Sequence, residues 1–381
     1  MQASLRKIPL VIAITSASLW GSSALGQTYE VEGNVFSAPP GTPVSQSAQQ
    51  AVRDYWTEER MRSAQPRQMI LEGSPKSQSA LSPDFPTGTP TAGNSGLHGE
   101  GHETVLRGDD VRAVLGITGA LAADPIVPQA AGDGVYSYPP PQTTYAIPVT
   151  WYGSFPLRAV GKLYLTLSGG NWVCSGAVIQ TSSNDVVQTA GHCVSDGAGN
   201  FATNVLFKPA HRPAWDAPYG TWTARVLGTR EVWHNNGESG GWCEDLGCVV
   251  ANTNGSGQHI ADLVGELGYV YNANRIQHWH VFGYPAENGW SGDVMVVSAT
   301  SWNLDDSPSC VSGPNTMGVG WGQAAGASGG PWVLTYKPQQ TGDNNYINGL
   351  SSYVYNDQPD QIYGPYFGTE FASLRDYCEA Q

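Results

Sequence analysis

Gly326-Ala327-Ser328-Gly329-Gly330-Pro331-Trp332-Val333-Leu334 sets a serine inside a glycine-rich loop and then runs directly into an apolar stretch that reads as a strand. Glycines around the serine let backbone amides approach a bound molecule closely. The same alternation of short apolar runs with Gly, Asn or Pro turns extends outward from this loop. From about Val149 it predicts strands over 161–167, 172–180, 186–189, 205–208, 221–233, 247–251, 263–271, 278–284, 293–302, 331–336 and 347–355. Many strands at short spacing with few helical patterns predict an all-β fold of sandwich or barrel type. The end of the chain differs: Phe367, Phe371, Leu374 and Tyr377 or Cys378 step by three or four, which predicts a C-terminal helix packing one face onto a sheet.

Composition agrees with that reading. The 381 residues are only 13% charged and include 47 Gly, 13 Trp and 18 Tyr, which suits a turn-rich β protein and argues against a helical bundle. A net charge of -14 repels nucleic acid and anionic lipid, so neither is an expected partner. Arg6 and Lys7, the apolar run 8–19 and Ala24-Leu25-Gly26 predict a signal peptide over residues 1–26 with cleavage before Gln27, and hence a secreted protein. The apolar run is too short to span a bilayer, and nothing later approaches a span. All six cysteines lie between Cys174 and Cys378, and an exported compartment predicts three disulfides. With no CxxC pair and no HExxH helix, no metal site is expected. Residues 27–143 hold no cysteine and read as linker-like. Within them, Ala48, Val52, Tyr55, Trp56 and Glu59 predict one short helix over 45–64, closed by Pro66. Residues 109–115 are weakly helical, and Pro139-Pro140-Pro141 reads as an extended linker.

Three residues carry the chemistry. His192 lies in Thr189-Ala190-Gly191-His192-Cys193 after a strand, Asp245 lies in Glu244-Asp245-Leu246-Gly247 at the mouth of the apolar run 248–251, and Ser328 lies in the glycine loop. A hydroxyl is a poor nucleophile at neutral pH unless an imidazole takes its proton and a buried carboxylate orients that imidazole. Glu244 and Asp262 compete for the acid, and Asp245 is preferred because the following strand would bury it beside the imidazole. The order His192, Asp245, Ser328 is informative. Gly326-Ala327-Ser328-Gly329-Gly330 also fits the nucleophile elbow of α/β-hydrolases, but that fold needs its histidine after the serine and the last histidine here is His280. Subtilisin order would put the aspartate first and a helix after the serine, where this chain has a strand.

At these residues the chain resembles secreted serine peptidases of the trypsin and chymotrypsin superfamily, over roughly residues 150–381. The resemblance rests on Cys174-Ser175-Gly176, Thr189-Ala190-Gly191-His192-Cys193, Asp245 and Gly326-Ala327-Ser328-Gly329-Gly330-Pro331. Val281-Phe282-Gly283-Tyr284-Pro285 is similar to a strand of the microbial branch that includes the glutamyl endopeptidases. The resemblance implies a peptidase domain over 144–381 made of two six-stranded antiparallel β-barrels, about 150–265 and 266–381, with the cleft between them. It implies His192 as general base and then acid, Asp245 as its orienting partner and Ser328 as the nucleophile of an acyl-enzyme. The amides of Gly326 and Ser328 would hold the oxyanion, Gly322 would floor the specificity pocket, and Leu350-Ser351-Ser352-Tyr353 would pair with substrate backbone. Residues 27–143 would be a propeptide, because 55–61 and 64–66 are similar to a segment met upstream of such domains.

The implied protein is a secreted monomer with a polypeptide substrate, its own propeptide as a partner, and no cofactor or metal. A Cys174 to Cys193 bridge would fix the backbone under the imidazole. Cys243 and Cys248 could close a small loop, which leaves Cys310 with Cys378 by elimination. Two departures stand out. Ala327 replaces the aspartate that in trypsin pairs with the released amino terminus, and Gly322 supplies no carboxylate for Lys or Arg. Nor does a histidine precede Ser351, where Leu350 stands, so glutamyl preference has no support there. His278-Trp279-His280 reads as two ordinary strand histidines. The Trp and Tyr excess admits an exported polysaccharide-binding protein, or a catalytically inert peptidase-like one, as the alternative class.

Overall fold

A computed structural model describes residues 29–31, 35–37, 45–75, 91–93, 142–213, 217–340 and 344–381. The expected leader at 1–26, the stretch at 109–115 expected to be weakly helical and the proline run at 139–141 lie outside the described residues. Among the described residues, no helix is long and apolar enough to cross a membrane.

Two sheets organise the molecule. In the first, Trp222–Arg230, Thr203–Pro209, Val160–Leu167, Gly170–Val178, Val186–Thr189 and Gly247–Ala251 follow one another, and the last pairs back to the first. These six strands close into a barrel, which satisfies every sheet edge within the ring. The second sheet has eleven strands; its centre is Tyr353–Tyr355, Gln358–Gly364, Thr316–Gly320, Val296–Asp306, His278–Gly283, Pro331–Leu334 and Tyr346–Leu350. The expected all-β class and C-terminal helix are therefore observed, with one closed six-stranded barrel and, in place of a second six-stranded barrel, a larger sheet of eleven strands among the described residues, consistent with a double β-barrel.

Alternation explains where the core sits. Along Val160–Leu167, Leu163, Leu165 and Leu167 face the main core, while Tyr164 faces outward. Outward here does not mean solvent, because Tyr164 packs with Trp56, Ala64, Val173 and Leu206 and is itself buried. The partners Trp56 and Ala64 come from the stretch that reads as linker-like. In place of one helix over 45–64, Ser45 caps Gln46–Tyr55 and Thr57 caps Glu58–Ser63. Trp56 breaks the pair and turns inward, donating its indole N–H to the Asn204 carbonyl. At these residues the N-terminal segment is packed structure, held by aromatic burial that its polar composition conceals.

Other differences from the sequence reading have local causes. The strand expected over 221–233 ends at Arg230, and Glu231–Asn236 is helical with Trp233 fully buried. The strand expected over 263–271 begins as the helix Ile260–Val264, because the Asp262 carboxylate accepts the His259 N–H and caps it. Among the strands not expected from sequence, Thr316–Gly320 and Gln358–Gly364 are rich in glycine or polar residues and draw their order from pairing with each other and with Val296–Asp306 and Tyr353–Tyr355. At the C-terminus, Thr369–Glu379 buries Phe371, Leu374 and Cys378, and Phe367 stacks on Phe371 with ring centroids 4.0 Å apart.

The disulfides are Cys174–Cys193, Cys243–Cys310 and Cys248–Cys378. The first is as expected. The loop Cys243–Cys248 and the bridge Cys310–Cys378 do not form, because the two middle cysteines face different elements. Cys243 sits in the turn Trp242–Glu244, and its amide donates to the Cys310 sulfur. Cys248 lies opposite Gly228 in the barrel, where any side chain would collide with the sulfurs of Cys248 and Cys378. The C-terminal helix is thus riveted to the first barrel across 130 residues of sequence. Replacing both Cys248 and Cys378 by alanine should cost about 2–5 kcal/mol of stability. The expected readout is a lower denaturant midpoint with a steeper slope, because the unfolded chain without the cross-link exposes more surface; an unchanged midpoint would contradict this account of the rivet.

Candidate active site

Each side chain is delivered by the end of a strand. After Val186–Thr189 the chain turns at Gly191–Cys193, with Cys193 tied to Cys174 on the neighbouring strand. Gly191 is needed there, because a side chain would strike Thr229 and the Trp233 indole. His192 emerges from this turn fully buried, with Trp233 edge-on to its ring at 6.0 Å. Asp245 follows the turn Trp242–Glu244 and precedes Gly247–Ala251.

The Asp245 carboxylate, also fully buried, accepts three hydrogen bonds. Oδ1 takes the His192 backbone N–H at 2.6 Å, and Oδ2 takes His192 Nδ1 at 2.7 Å and the Ser352 hydroxyl at 2.5 Å. A buried carboxylate left short of donors is costly, so this count explains how the group is tolerated. It also assigns the imidazole tautomer: with Nδ1 donating to Asp245, the lone pair lies on Nε2. Nε2 has no hydrogen-bond partner among the described residues. The rival carboxylates are committed elsewhere. Glu244 pairs with Arg230 at 2.8 Å and accepts from Ser312 at 2.6 Å, while Asp262 caps its helix.

The serine loop is pinned from several sides. Ser175 donates its amide to the Ser328 carbonyl at 2.7 Å and its hydroxyl to the Gly326 carbonyl at 2.9 Å. Gly329 donates to the Ser351 carbonyl at 2.7 Å. Gly326 and Gly329 have φ of +95° and +78°, which L side chains rarely adopt, and the space beside Gly329 is filled by Thr189, Ser175 and Ala190. Ser328 lies at the buried rim of the cleft with its hydroxyl 3.1 Å from the Arg67 carbonyl oxygen, to which it donates. The Gly326 amide donates to that same oxygen at 3.1 Å. The structure therefore joins His192, Asp245 and Ser352 directly, and turns the Ser328 hydroxyl to Arg67.

The remaining candidate positions fall around this loop. Gly322 packs against the Thr144 side chain and gives its carbonyl to the Trp290 indole at 3.2 Å. Leu350 is buried opposite Pro331, and the Ser351 hydroxyl accepts from the Trp332 indole at 3.2 Å. Tyr353 stacks on Tyr363 with centroids 5.2 Å apart and donates its hydroxyl to Asp306 at 2.7 Å. Burial pushes the Tyr353 hydroxyl up, and the Asp306 charge adds to the effect. Sequence reasoning missed the bond from Ser352 to Asp245, the Trp233 wall and Arg67. Only the serine pair at 351–352 carried any signal. One cluster with metal-ligand chemistry occurs among the described residues, Cys174, His192 and Cys193, and both of its sulfurs are in the disulfide. His278 bonds Ser301 and His280 packs against the Tyr336 ring, and the two imidazoles meet edge to face with centroids 5.6 Å apart.

Among the solved structures similar to this chain are two proteases. The protease Anisep from Arthrobacter nicotinovorans aligns at 35% identity and a TM-score of 0.53, over 59% of this chain and 96% of its own. The thermostable serine protease AL20 from an extremophilic microorganism aligns at 27% identity and a TM-score of 0.52, over 61% of this chain and 100% of its own. No protein-family model and no curated protein matches the chain. Removing the Ser352 hydroxyl with Ser352→Ala should cost about 1–3 kcal/mol by leaving the buried carboxylate one donor short. Urea unfolding measures this, and a neutral result would mean that another donor replaces it.

Proposed function

The chain belongs to the trypsin-like serine peptidases of the chymotrypsin fold, and on that premise we propose that it is a secreted serine endopeptidase acting through Ser328, His192 and Asp245. The observation that carries the reading is the buried pair His192 Nδ1 and Asp245 Oδ2 at 2.7 Å, which leaves Nε2 as the basic nitrogen. His192 Nε2 accepts the Ser328 proton as Oγ attacks the scissile carbonyl, and the amides of Gly326 and Ser328 hold the developing oxyanion. His192 then protonates the leaving amine, and water resolves the acyl-enzyme by the same path in reverse. Asp245 keeps its charge role throughout, orienting the ring and stabilising the imidazolium. No step calls for a metal or cofactor.

Export by a signal peptide over 1–26 is part of this proposal, and three disulfides are consistent with an oxidising compartment. So is a propeptide within residues 27–143. Ala327 is fully buried in an apolar cluster, so activation cannot use a salt bridge from that position. Gly322 offers no carboxylate, which argues against Lys or Arg preference in the pocket.

A fluorophosphonate should modify Ser328, and His192→Ala should abolish the adduct. Asp245→Asn should lower kcat by about four orders of magnitude through loss of tautomer control. Glu244→Gln, which weakens the pair with Arg230 in the turn that presents Asp245, should lower kcat far less than Asp245→Asn does. Peptide mass mapping and steady-state turnover check both expectations. Equal turnover for Asp245→Asn and the unaltered chain would reject Asp245 as the acid.

A further inference from the structure

Among the described residues, Arg67 hydrogen-bonds Ser328 from outside the expected peptidase domain, and the path of the chain through it crosses the cleft. Gln65–Pro66 adds as a parallel strand beside Trp172 and Val173 of the first sheet. The Arg67 amide donates to the Val173 carbonyl at 3.0 Å, and its own carbonyl takes both the Gly326 amide and the Ser328 hydroxyl. Two residues on, Met69–Leu71 adds in parallel to Tyr353–Tyr355 of the second sheet, continuing the stretch expected to carry substrate backbone. One short segment thus covers both halves of the cleft.

The segment is anchored on each side. Upstream, Trp56 is buried against Tyr164, Val173 and Leu206. Downstream, Met69 is buried among Trp233, Trp242, Tyr353, Tyr355 and Tyr363. Beyond it, the Asn356 amide donates to the Leu71 carbonyl at 3.0 Å, and the Asn356 side-chain oxygen accepts from the Gly73 amide at 3.0 Å. The Arg67 guanidinium lies over the Trp172 ring at 5.4 Å. Burial lowers its pKa, against the attraction of Asp245, Glu238 and Asp196.

This contact occupies the reacting groups without arming them. For attack, the serine must give its proton to His192 Nε2 and bring Oγ to a carbonyl carbon. Here the hydroxyl donates to the carbonyl oxygen instead, and Nε2 stands without a hydrogen-bond partner among the described residues. The Gly326 amide, needed for an oxyanion, is filled by the same oxygen.

We propose that residues 65–71 are an internal inhibitory strap, with the Arg67 carbonyl held at the oxyanion donor and the nucleophile, so that the cleft stays shut until the strap is displaced. The proposal rests on the reading of Ser328 as nucleophile. Inhibition comes from occupancy of a formed site, which fits a chain whose Ala327 cannot support activation by a new amino terminus. Strap release then becomes the activating event, and Met69 is the residue whose burial opposes it.

The test compares the labelling rate of Ser328 by a small fluorophosphonate in the full-length chain and in its Met69→Asp variant, which puts a carboxylate into the aromatic socket. The strap predicts labelling faster by about tenfold or more in Met69→Asp, since the rate follows the fraction of open clefts. It also predicts that a synthetic peptide of residues 60–73 slows the variant again, which a misfolded variant would not show. Equal rates in the two chains overturn the strap and leave the peptidase reading standing. No labelling of either chain overturns both. A second measurement needs no variant: hydrogen exchange of residues 65–71 in the unaltered chain must rise once Ser328 carries the phosphonate, and unchanged exchange overturns the strap.

Discussion

The buried carboxylate of Asp245 is the constraint on which the rest of the site depends. It sits at zero exposure and is tolerable only because three donors converge on it. Two of them come from His192, in the turn after a strand of the first barrel, and the third comes from Ser352, in the link between two strands of the second sheet. One carboxylate therefore registers the two halves of the molecule against each other at the floor of the cleft. Much of the surrounding architecture holds its donors in place. The Cys174–Cys193 bridge and Trp233 fix the His192 turn, and the Arg230 to Glu244 pair fixes the turn that presents Asp245.

Glycine does the complementary work at the nucleophile. The loop 326–330 must pass between Ser175, Thr189 and Phe282, and a side chain at Gly329 or Gly330 would meet backbone there. The result is a loop whose Gly326 amide is turned to the Arg67 carbonyl and whose Gly326 and Ser328 carbonyls are spent on Ser175. In the proposed mechanism that arrangement preorganises the oxyanion donors, so the site requires no conformational ordering on activation. Control must then come from access, and the segment through Arg67 supplies a physical means of denying it.

The same segment shows why its composition misleads. Residues 45–71 are polar enough to read as a spacer, yet two aromatic contacts and two short parallel pairings hold them on the domain. Parallel additions of two or three residues leave no periodic pattern in the strand that makes them. Their order is borrowed from the sheets they join, as is that of Thr316–Gly320 and Gln358–Gly364.

The sequence alone determined the β class, the C-terminal helix, the even cysteine count and the three residues whose chemistry defines the proposed function. Those features are local or ordinal: alternation, spacing by three or four, and the order of His192, Asp245 and Ser328 survive in a linear string. Tertiary structure alone decided the pairing of Cys243 with Cys310 and Cys248 with Cys378, and the third donor at Ser352. It alone brought Arg67 to Ser328, 261 residues away. These depend on which side chains face one another across closed sheets, and that is set by packing between strands distant in sequence, which no local pattern records.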